Sequence, residues 1–562
     1  MTERTEAATR STGGHTSLLD RARAWRDEDP DPQTRSELAA VIERTEAGST
    51  HAMNDLADRF AGPLEFGTAG LRGALGAGPN RMNRAVVIRA AAGLAAYLKA
   101  VYLKKGGGTV AIGYDARHKS DRFARDTAAV MSGAGLDAVV LPGPLPTPVL
   151  AYAIRHLGCA AGVMVTASHN PPQDNGYKVY LGDGCQIVPP ADREIAQRIA
   201  AVTSLADVPL GDGWQTLGDE IVDDYARAVV AIPEPGGPRA LRLVYTPLHG
   251  VGAGVVSRVL HAAGFTDVHA VPEQNEPDPE FSTVSFPNPE EPGAMDLALR
   301  LAREVGADVV VANDPDADRC AVGVPTDQGW RMLRGDEVGA LLGDAMLRRD
   351  ASGVYAASIV SSSLLGKMAT ARGMGYEETL TGFKWIARVD GLVYGYEEAL
   401  GYCVAPGIVR DKDGISAGLL VAELAAVLKA DGLSLLDRID EIEREYGVHA
   451  TDQLSVRVDD LSEIVAAMSR LRSSPPDALG GMAVERIEDL SAGVAGLPPT
   501  DGLRYRLAEG GRVVVRPSGT EPKLKCYLEV VVPSTDGVEA ARISAAGRLD
   551  AIRADLATAA GI

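Results

Sequence analysis

Short runs of β-branched residues alternate along most of this chain with longer stretches rich in alanine. TVAIGYDAR, LDAVVLPG and AAGVMVTAS have the composition of strands, and FARDTAAVMSGAG between the first two has that of a helix. The order repeats in LRLVYTP, VVSRVLHAAG and TDVHAVP, and again in LALRLAREVG followed by ADVVVAND. Strands that are separated by helices do not pair as hairpins, so this alternation predicts layered α/β domains with parallel strands.

The length of 562 residues is more than one hydrophobic core supports, and it predicts three or four domains. Breaks rich in proline and glycine lie at 232–240, 348–353 and 473–481. The fold class that follows is three similar mixed α/β domains and a smaller α+β C-terminal domain that contains the strand pair GRVVVRPS and LKCYLEVVV.

We predict a disordered, polar tail over 1–16 and a helical pattern from Leu18 to Phe60 that leads into the first domain. The predicted domains cover 17–232, 233–348, 349–455 and 456–562.

The formal net charge of −20 excludes the basic footprint of a nucleic-acid binder. An anionic substrate must therefore be held by local groups. The first residues have no apolar core for a signal peptide, and no run of 18 apolar residues predicts a membrane span. The five cysteines are scattered without a CxxC pair, which favours a reducing compartment and neither a disulfide framework nor a zinc site. We expect a cytoplasmic protein.

The segment TASHNPPQDNGYKVY, over residues 166–180, places Ser168 where a buried strand ends. Open α/β sheets bind their ligands at this end of a strand, and His169, Asn170 and Lys178 flank the serine. The pattern is consistent with a nucleophilic serine and also with an ordinary polar turn. The adjacent serine and histidine do not indicate a hydrolase, because no GxSxG elbow is present.

The segment DPDADR follows the strand pattern ADVVVAN and carries Asp314, Asp316 and Asp318 at alternate positions. Three carboxylates on one short loop repel one another unless a cation offsets their charge, and oxygen ligands suit Mg²⁺ or Ca²⁺. Arg319 and Pro325 at the sixth and twelfth positions exclude an EF-hand. A solvated acidic turn is one alternative. A phosphatase of the haloacid dehalogenase type, with an aspartyl nucleophile, is another.

Two further loops carry groups that suit a phosphate and a sugar. RPSGTEPK offers Arg516 as a bidentate donor, the hydroxyls of Ser518 and Thr520, and backbone freedom at Gly519, although a hairpin turn would look similar.

GYEEALGY places Glu397 and Glu398 between glycines, where a carboxylate could accept from sugar hydroxyls and where a plain charged turn is the alternative. LVYTPLHGVGAGVV resembles a dinucleotide-binding loop, but Val255 stands at the third glycine position, which favours ordinary glycine-rich packing.

Taken in order along the chain, FGTAGLRG, TASHNP, DPDADR, GYEEALGY and RPSGTEPK resemble the motifs of the α-D-phosphohexomutase superfamily. The resemblance covers about residues 60 to 530. EFGTAGLRG, QDNGYKVY and GYEEALGY make the chain most like the phosphoglucomutase-2-type branch and its bacterial phosphomannomutase-like relatives. The resemblance implies four domains around a central cleft and a phosphosugar mutase that works through a phosphoserine and a bisphosphate intermediate.

The resemblance also implies a catalytic centre in which Ser168 carries the phosphoryl group. The residues implied to hold Mg²⁺ are Ser168, Asp314, Asp316 and Asp318. Lys178 matches the lysine that handles a hydroxyl proton, and His169 and Arg319 adjoin the reacting groups. A sugar bisphosphate such as glucose 1,6-bisphosphate is the implied activator.

The residues implied to contact substrate lie in four different loops. They are Arg72 for phosphate, Lys384 in GFK with Glu397 and Glu398 for the sugar, and Arg516, Ser518, Gly519 and Thr520 for the distal phosphate. Ala399 departs from the serine that many hexomutases have in this loop.

The implied reaction interconverts hexose 1-phosphate and 6-phosphate, with glucose and mannose both open because of Ala399. A phosphopentomutase acting on ribose or deoxyribose 1-phosphate is the alternative. A sugar-phosphate phosphatase and a module that binds nucleotide sugars or polysaccharides without turnover are the other rivals. We expect a small-molecule sugar phosphate as partner, with neither nucleic acid nor membrane, and the sequence leaves the oligomeric state open.

Overall fold

The computed structural model describes residues 18–101, 108–349, 351–458, 460–494, 496–518 and 523–562. The predicted tail over 1–16 lies outside these residues. The chain divides into two compact units, and both are discontinuous in sequence. The first comprises the described residues of Met1–Glu234 with Arg242–Cys320 and Gly407–Gly418; the second comprises Pro235–Leu241, Ala321–Pro406 and Leu419–Ile562. The domain boundaries given by the sequence stay predictions.

The first unit opens with three helices, which confirms the predicted helical lead-in. They are α1 over 18–28, α2 over Pro32–Glu46 and α3 over Thr50–Arg59. The side chains of Asp31 and Ser49 accept hydrogen bonds from free backbone amides at the starts of α2 and α3, as N-caps do. Leu38 and Leu56 are fully buried in the small apolar cluster that these helices share.

A six-stranded mixed sheet forms the centre of the first unit. Its strands are β1 (Leu71–Ala74), β2 (Thr109–Tyr114), β3 (Asp137–Val140), β4 (Ala161–Val165), β5 (Asp174–Leu181) and β6 (Gln215–Thr216). The order is β1-β5-β4-β2-β3-β6. The strands β4, β2 and β3 are parallel as predicted, and β6, which was not predicted, pairs with β3 in parallel. In contrast, β5 is antiparallel to both β4 and β1, because the loop between β4 and β5 is too short to hold a crossover helix.

Helices cover this sheet because their alanine-rich apolar faces must be removed from water. They are α4 (Arg84–Val101), α5 (Ser120–Gly133), α6 (Thr147–His156), α7 (Ala191–Ala200) and α8 (Glu220–Val230). Helix α4 packs against α5 and α7, and α5 and α6 pack directly on the strands. The apolar cluster between the layers includes Val110, Ile112, Phe123, Val163 and Tyr177.

The rest of the first unit repeats the strand–helix–strand order. Strand β7 (Arg242–Thr246) pairs in parallel with β8 (Asp267–Ala270) and β9 (Val309–Ala312), and the connecting helices are α9 (Ala253–Ala262) and α10 (Asp296–Val305). A Cβ atom at Gly250 would lie 2.3 Å from the Cα of Pro315. The glycine-rich loop after β7 therefore packs closely on the loop that follows β9. This explains its composition without a dinucleotide.

The second unit begins with the antiparallel pair β10 (Ala321–Thr326) and β11 (Gly329–Met332) and helix α11 (Gly335–Arg348). A four-stranded sheet follows in the order β13 (Gly375–Thr379), β12 (Val354–Ser358), β14 (Leu392–Glu397) and β15 (Gly401–Cys403). Strand β12 is parallel to both of its neighbours, and β14 and β15 form an antiparallel hairpin. The helices of this part are α12 (Leu364–Ala371), α13 (Phe383–Ile386), α14 (Gly414–Ala430) and α15 (Leu435–Tyr446).

The chain ends in an antiparallel sheet, which confirms the predicted smaller α+β domain. Its strands in chain order are β16 (Val448–Arg457), β17 (Ala478–Leu479), β18 (Met482–Asp489), β19 (Leu503–Leu507), β20 (Arg512–Pro517) and β21 (Lys523–Val532). They lie in the order β16-β21-β20-β19-β18-β17. Helices α16 (Leu461–Ser473) and α17 (Val538–Ala560) complete this part, and α17 packs on β16 and β21.

Two general features concern the whole of the described chain. None of its helices is both long and apolar enough to cross a bilayer. All five cysteines are buried as free thiols.

The segment Gly407–Gly418 returns to the first unit and is fixed there by a buried hydrogen bond. The hydroxyl of Tyr225 on α8 donates to Oδ1 of Asp413 over 2.8 Å. The same carboxylate accepts from the backbone amides of Ile415 and Ser416 at the start of α14. Asp413 thus anchors the returning segment and caps α14 at the same time.

We predict that Tyr225→Phe weakens this anchor. Loss of one buried hydrogen bond costs about 1 kcal/mol, which corresponds to a fall of about 1–2 °C in the melting temperature of a unit of this size. The measurement is differential scanning calorimetry. Tyr152→Phe is the matched control, because the Tyr152 hydroxyl meets His156 at an exposed position. Equal shifts in the two variants would contradict the prediction.

Candidate active site

Ser168 lies in the loop that joins β4 to β5, three residues beyond the end of a fully buried strand. Its φ angle is 51°, in the left-handed region that side chains other than glycine rarely adopt. The Oγ of Ser168 donates to Oδ2 of Asp314 over 2.7 Å and lies 3.2 Å from Nδ1 of His169. The loop after β4 therefore presents the serine hydroxyl to the loop after β9, as the sequence predicts for two strand ends.

The three carboxylates of DPDADR are fully buried in that second loop. Ligand oxygens of Asp314, Asp316 and Asp318 lie within 4.8 Å of one another. Ala317, between the last two, has a φ of 54°, which turns the backbone so that both neighbouring side chains face the same side. This arrangement excludes the alternative of a solvated acidic turn.

Two lysines compensate the buried charge. Nζ of Lys178, on β5, lies 2.7 Å from Oδ2 of Asp316 and 3.0 Å from Oδ2 of Asp318. Nζ of Lys412 lies 3.0 Å from the same oxygen of Asp318. Arg319 is more distant, with Nε 3.8 Å from Oδ2 of Asp314. Each lysine comes from a different stretch of chain, so the acidic loop is held from several sides.

The surroundings of the three carboxyl groups favour different protonation states. Burial and the charges of Asp316 and Asp318 raise the pKa of Asp314 to about 8. Burial opposes ionisation of Asp316 as well, but the ammonium of Lys178 holds the pKa of Asp316 below its usual range. Burial, followed by Arg319, lowers the pKa of His169 well below its usual value, so the imidazole is neutral at pH 7. An additional positive charge beside the loop would favour the ionised form of Asp314.

The residues present fit a divalent cation. Oδ1 of Asp316 and Oδ1 of Asp318 are buried, and neither accepts a hydrogen bond from any residue that the structure describes. A buried carboxylate oxygen without a donor is costly, and a cation relieves that cost. The donor set contains only oxygen, which suits a hard ion such as Mg²⁺. The cluster can therefore hold a metal ion.

Two residues that the sequence analysis overlooked complete this cluster. Thr147, at the start of α6, donates from Oγ1 to Oδ2 of Asp316 over 2.7 Å. Lys412 lies in the returning segment Gly407–Gly418. This segment packs closely on the acidic loop, because a Cβ atom at Gly414 would lie only 2.1 Å from the carbonyl oxygen of Arg319. The one available signal for Lys412 was its place between two acids in RDKDG, directly before a helix.

Arg72 lies on β1, which pairs with β5 and places it beside the serine loop. Its Nη1 donates to Oδ1 of Asn170 over 3.1 Å. The register puts Arg72 opposite Gly176. The structure thus brings the first motif, FGTAGLRG, next to TASHNP, as the resemblance implies.

A second group of predicted residues lies in the second unit. Glu397 is the last residue of β14, and its Oε1 accepts from the amide of Gly382 over 3.2 Å. Gly382 has a φ of 105° and precedes α13, which carries Lys384. The hydrogen bond from Gly382 to Glu397 therefore links the GFK loop to the GYEEALGY loop.

Glu398 lies in the turn of the hairpin and is held by serine hydroxyls. Ser361 and Ser358 donate to its Oε2 over 2.9 and 3.1 Å, and its own amide donates to Oγ of Ser361 over 3.0 Å. Burial, followed by the charge of Glu397, raises the pKa of Glu398 to about 7. The two adjacent acids thus have different surroundings.

The last motif, RPSGTEPK, begins at the end of β20. The amide of Ser518 donates to the carbonyl of Lys523 across the strand pair over 2.8 Å. Burial and the charge of Glu398 raise the pKa of Tyr527, while Arg516 opposes the shift, so this tyrosine lies near both motifs. Gly519 and Thr520 lie outside the described residues.

Models of four domains of the phosphoglucomutase/phosphomannomutase family match the chain in order. They are the α/β/α domain I over residues 63–206, domain II over 223–328, domain III over 334–446 and the C-terminal domain over 454–545. Together they cover most of the chain.

Individual relatives agree with this assignment. The chain is 49% identical over 457 residues to a "Probable phosphomannomutase" of Haemophilus influenzae, which covers 80% of this chain and 93% of that protein. It is 36% identical over 581 residues to a phosphopentomutase of Mus musculus, covering 92% and 91%. It is 33% identical over 560 residues to a glucose 1,6-bisphosphate synthase of Homo sapiens, covering 90% and 89%.

A solved structure has the same fold. It is that of a phosphoglucomutase/phosphomannomutase family protein from Burkholderia thailandensis, with a TM-score of 0.68, 20% identity and coverage of 88% of this chain and 97% of that one. With all four domains matched in sequence order, the chain belongs to the phosphoglucomutase/phosphomannomutase family of the α-D-phosphohexomutase superfamily and is a phosphomutase, an isomerase of the intramolecular phosphotransferase class.

Proposed function

We propose that this phosphomutase interconverts hexose 1-phosphate and hexose 6-phosphate, with glucose or mannose as the sugar, through a phosphorylated Ser168. The observation that carries the proposal is the contact of Ser168 Oγ with Oδ2 of Asp314, at the edge of a buried oxygen cluster that can hold a cation. The 49% identity to a phosphomannomutase supports the hexose assignment. A phosphatase with an aspartyl nucleophile is disfavoured, because Asp314 and Asp316 both accept from neighbouring side chains within the cluster.

In the proposed reaction Ser168 first gives up a phosphoryl group and then takes one back. The Oγ–P bond of phosphorylated Ser168 breaks and a bond forms between phosphorus and a sugar hydroxyl oxygen, while that hydroxyl loses its proton and Oγ takes one up. The product is a sugar bisphosphate. It turns over and returns its other phosphoryl group to Ser168 by the same exchange in reverse. We assign the handling of the sugar's hydroxyl proton to Lys178, whose ammonium lies against Asp316 and Asp318. Lys178 takes up that proton as the neutral amine, after it has passed one of its own protons to a neighbouring carboxylate.

The assigned residues would act mainly by positioning and by offsetting charge, which is what phosphoryl transfer requires. Asp314, Asp316 and Asp318, with Ser168, would hold Mg²⁺, which when bound supplies positive charge beside the transferring group. His169 and Arg319 adjoin Ser168 and the acidic loop.

The remaining assigned residues would hold the substrate. Arg72 would bind phosphate beside the serine loop. Glu397, Glu398 and Lys384 would face the sugar. Arg516, Ser518, Gly519 and Thr520 would hold the distal phosphate.

A sugar bisphosphate would prime the enzyme by phosphorylating Ser168. The likeness to glucose 1,6-bisphosphate synthase supports an activator of this class. We also propose one functional loop per domain, with domains over 17–232, 233–348, 349–455 and 456–562. The four family matches support this division, although the second begins at residue 223, within α8.

Phosphopentomutase activity is the second candidate. The likeness to the phosphopentomutase of Mus musculus over 92% of the chain favours it, and so does Ala399, which lacks the hydroxyl that a serine would offer to a sugar.

We predict that Ser168→Ala lowers kcat by at least about 10³-fold, because no carrier of the phosphoryl group remains. The melting temperature should stay close to that of the wild type, since only one hydroxyl at a strand end is removed. Mass spectrometry should find phosphate on Ser168 in the wild type after incubation with glucose 1,6-bisphosphate. Activity near that of the wild type in the alanine variant would refute the proposal.

Metal dependence is tested by chelation and by Asp316→Asn. Chelation should stop turnover and Mg²⁺ should restore it. The substitution keeps the shape but removes one negative charge, so the Mg²⁺ concentration for half-maximal activity should rise about tenfold or more. Asp207→Asn changes an exposed carboxylate of the same unit and should leave that concentration unchanged. Full activity after exhaustive chelation would exclude a catalytic metal site.

The choice of sugar is tested by Ala399→Ser. A new hydroxyl in the GYEEALGY loop adds a partner for a ring hydroxyl, worth roughly 0.5–1.5 kcal/mol, or up to about tenfold in rate. We expect the ratio of kcat/KM for glucose 1-phosphate to that for ribose 1-phosphate to rise. Mannose 1-phosphate should be measured in parallel to separate the two hexoses. An unchanged ratio would show that residue 399 does not set specificity.

A further inference from the structure

Arg117 binds the backbone of the loop that carries Ser168 through several hydrogen bonds, and no sequence motif pointed to it. Its side chain is 1% exposed. The two terminal nitrogens of the guanidinium donate to three backbone carbonyl oxygens of this loop, those of Ser168 (2.6 Å), Asn170 (2.5 Å) and Pro171 (2.7 Å), and to that of Asp174 (3.2 Å), the first residue of β5. A single side chain therefore bonds the backbone at four positions from Ser168 to the start of β5.

The guanidinium is itself fixed. Its Nε lies 3.4 Å from Oδ2 of Asp115, which also follows β2. The other carboxylate oxygen of Asp115 accepts from the amide of Arg117 over 3.0 Å and from Oγ of Ser120 over 2.6 Å. The ring of Phe281 lies 4.8 Å from the guanidinium carbon and covers one of its faces. The planar group has little freedom to move.

The loop needs such support because of the conformation of Ser168. A φ of 51° is unfavourable for a serine and persists only where the surroundings impose it. Arg117 bonds the carbonyl of Ser168 itself, and its other three acceptors lie within six residues of Ser168. Without this donor, the buried carbonyl of Ser168 and the partly buried carbonyls beyond it would have to turn toward other partners, and the serine would turn with them.

We infer that Arg117 is the positioning residue that holds Ser168 Oγ in place for phosphoryl transfer. The inference rests on the proposed function, in which Ser168 is the carrier. Arg117 acts through the backbone, since each of its loop contacts is with a carbonyl oxygen. In-line transfer is sensitive to placement of the nucleophile at the scale of 1 Å, so a loop that is folded but looser would bind substrate and react slowly.

The test is Arg117→Lys. Lysine keeps the positive charge beside Asp115 but lacks the planar fork that reaches four carbonyls. The direct readout is the single-turnover transfer of ³²P from labelled glucose 1,6-bisphosphate to the protein. In that step the sugar O–P bond breaks and the Oγ–P bond forms, while Oγ loses its proton and the sugar oxygen gains one. Phosphopeptide mapping assigns the label to Ser168.

We expect the rate of labelling and kcat to fall together, by about 10–100-fold. The KM for the sugar phosphate should change by less than about threefold, because Arg117 donates to none of the residues assigned to the substrate. A purely structural arginine would instead lower the yield and the melting temperature and leave the rate per folded molecule unchanged. Circular dichroism and thermal melting measure the folded fraction.

Arg84→Lys is the matched control. Arg84 is a largely buried arginine of the same unit, and it pairs with both oxygens of Asp126 over 2.7 and 2.8 Å, with no bond to the serine loop. This variant should be labelled at the wild-type rate. Labelling of Arg117→Lys at the wild-type rate would overturn the inference and leave the proposed function intact. Absence of label on Ser168 in the wild type would instead overturn the proposed function.

If Arg117→Lys does not fold, Phe281→Leu decides the question. This change removes the ring that covers the guanidinium and keeps an apolar side chain. A loss of labelling rate of about threefold or more with a wild-type KM supports the inference. A wild-type labelling rate in Phe281→Leu overturns it.

Discussion

The balance of charge in a buried acidic loop is the constraint on which the first unit depends. Three carboxylates with no exposed surface can share a loop of six residues only where cations lie against them. Lys178 comes from an antiparallel strand and Lys412 from a segment that returns late in the chain. The antiparallel strand β5 and the returning segment Gly407–Gly418 are thus the two elements that bring ammonium groups to the acidic loop.

Much of this centre could be predicted from local patterns, and the rest could not. Ser168 and Asp314 each follow a buried apolar strand, so periodicity alone places both at strand ends. The antiparallel β5 was missed, although the loop before it is too short for a helix. Lys412 and Arg117 contact residues that are distant in sequence, and the spacing of residues in a motif does not predict such contacts. Gly519 and Thr520, which lie outside the described residues, stay predictions.

In the second unit the two adjacent glutamates of GYEEALGY, Glu397 and Glu398, make different contacts. Glu397 bonds the amide of Gly382 and so links its strand to the loop that carries Lys384. Glu398 accepts from two serine hydroxyls, and burial together with the charge of Glu397 raises its pKa to about 7. Sequence patterns predicted acids in this loop but could not separate these surroundings, because Ser358 and Ser361 lie on another strand end.

The discontinuity of the first unit has a consequence for how the chain is made. The acidic loop leaves the ribosome well before Lys412, because residues 321–406 of the second unit are synthesised in between. At a synthesis rate of about 5–20 residues per second, this interval is about 4–17 s. During that time the nascent first unit holds Lys178 but lacks its second ammonium and the Tyr225–Asp413 bond. The negative charge of its acidic loop therefore stays incompletely neutralised until the segment Gly407–Gly418 has emerged. Native packing of the first unit is complete only after that segment has been synthesised.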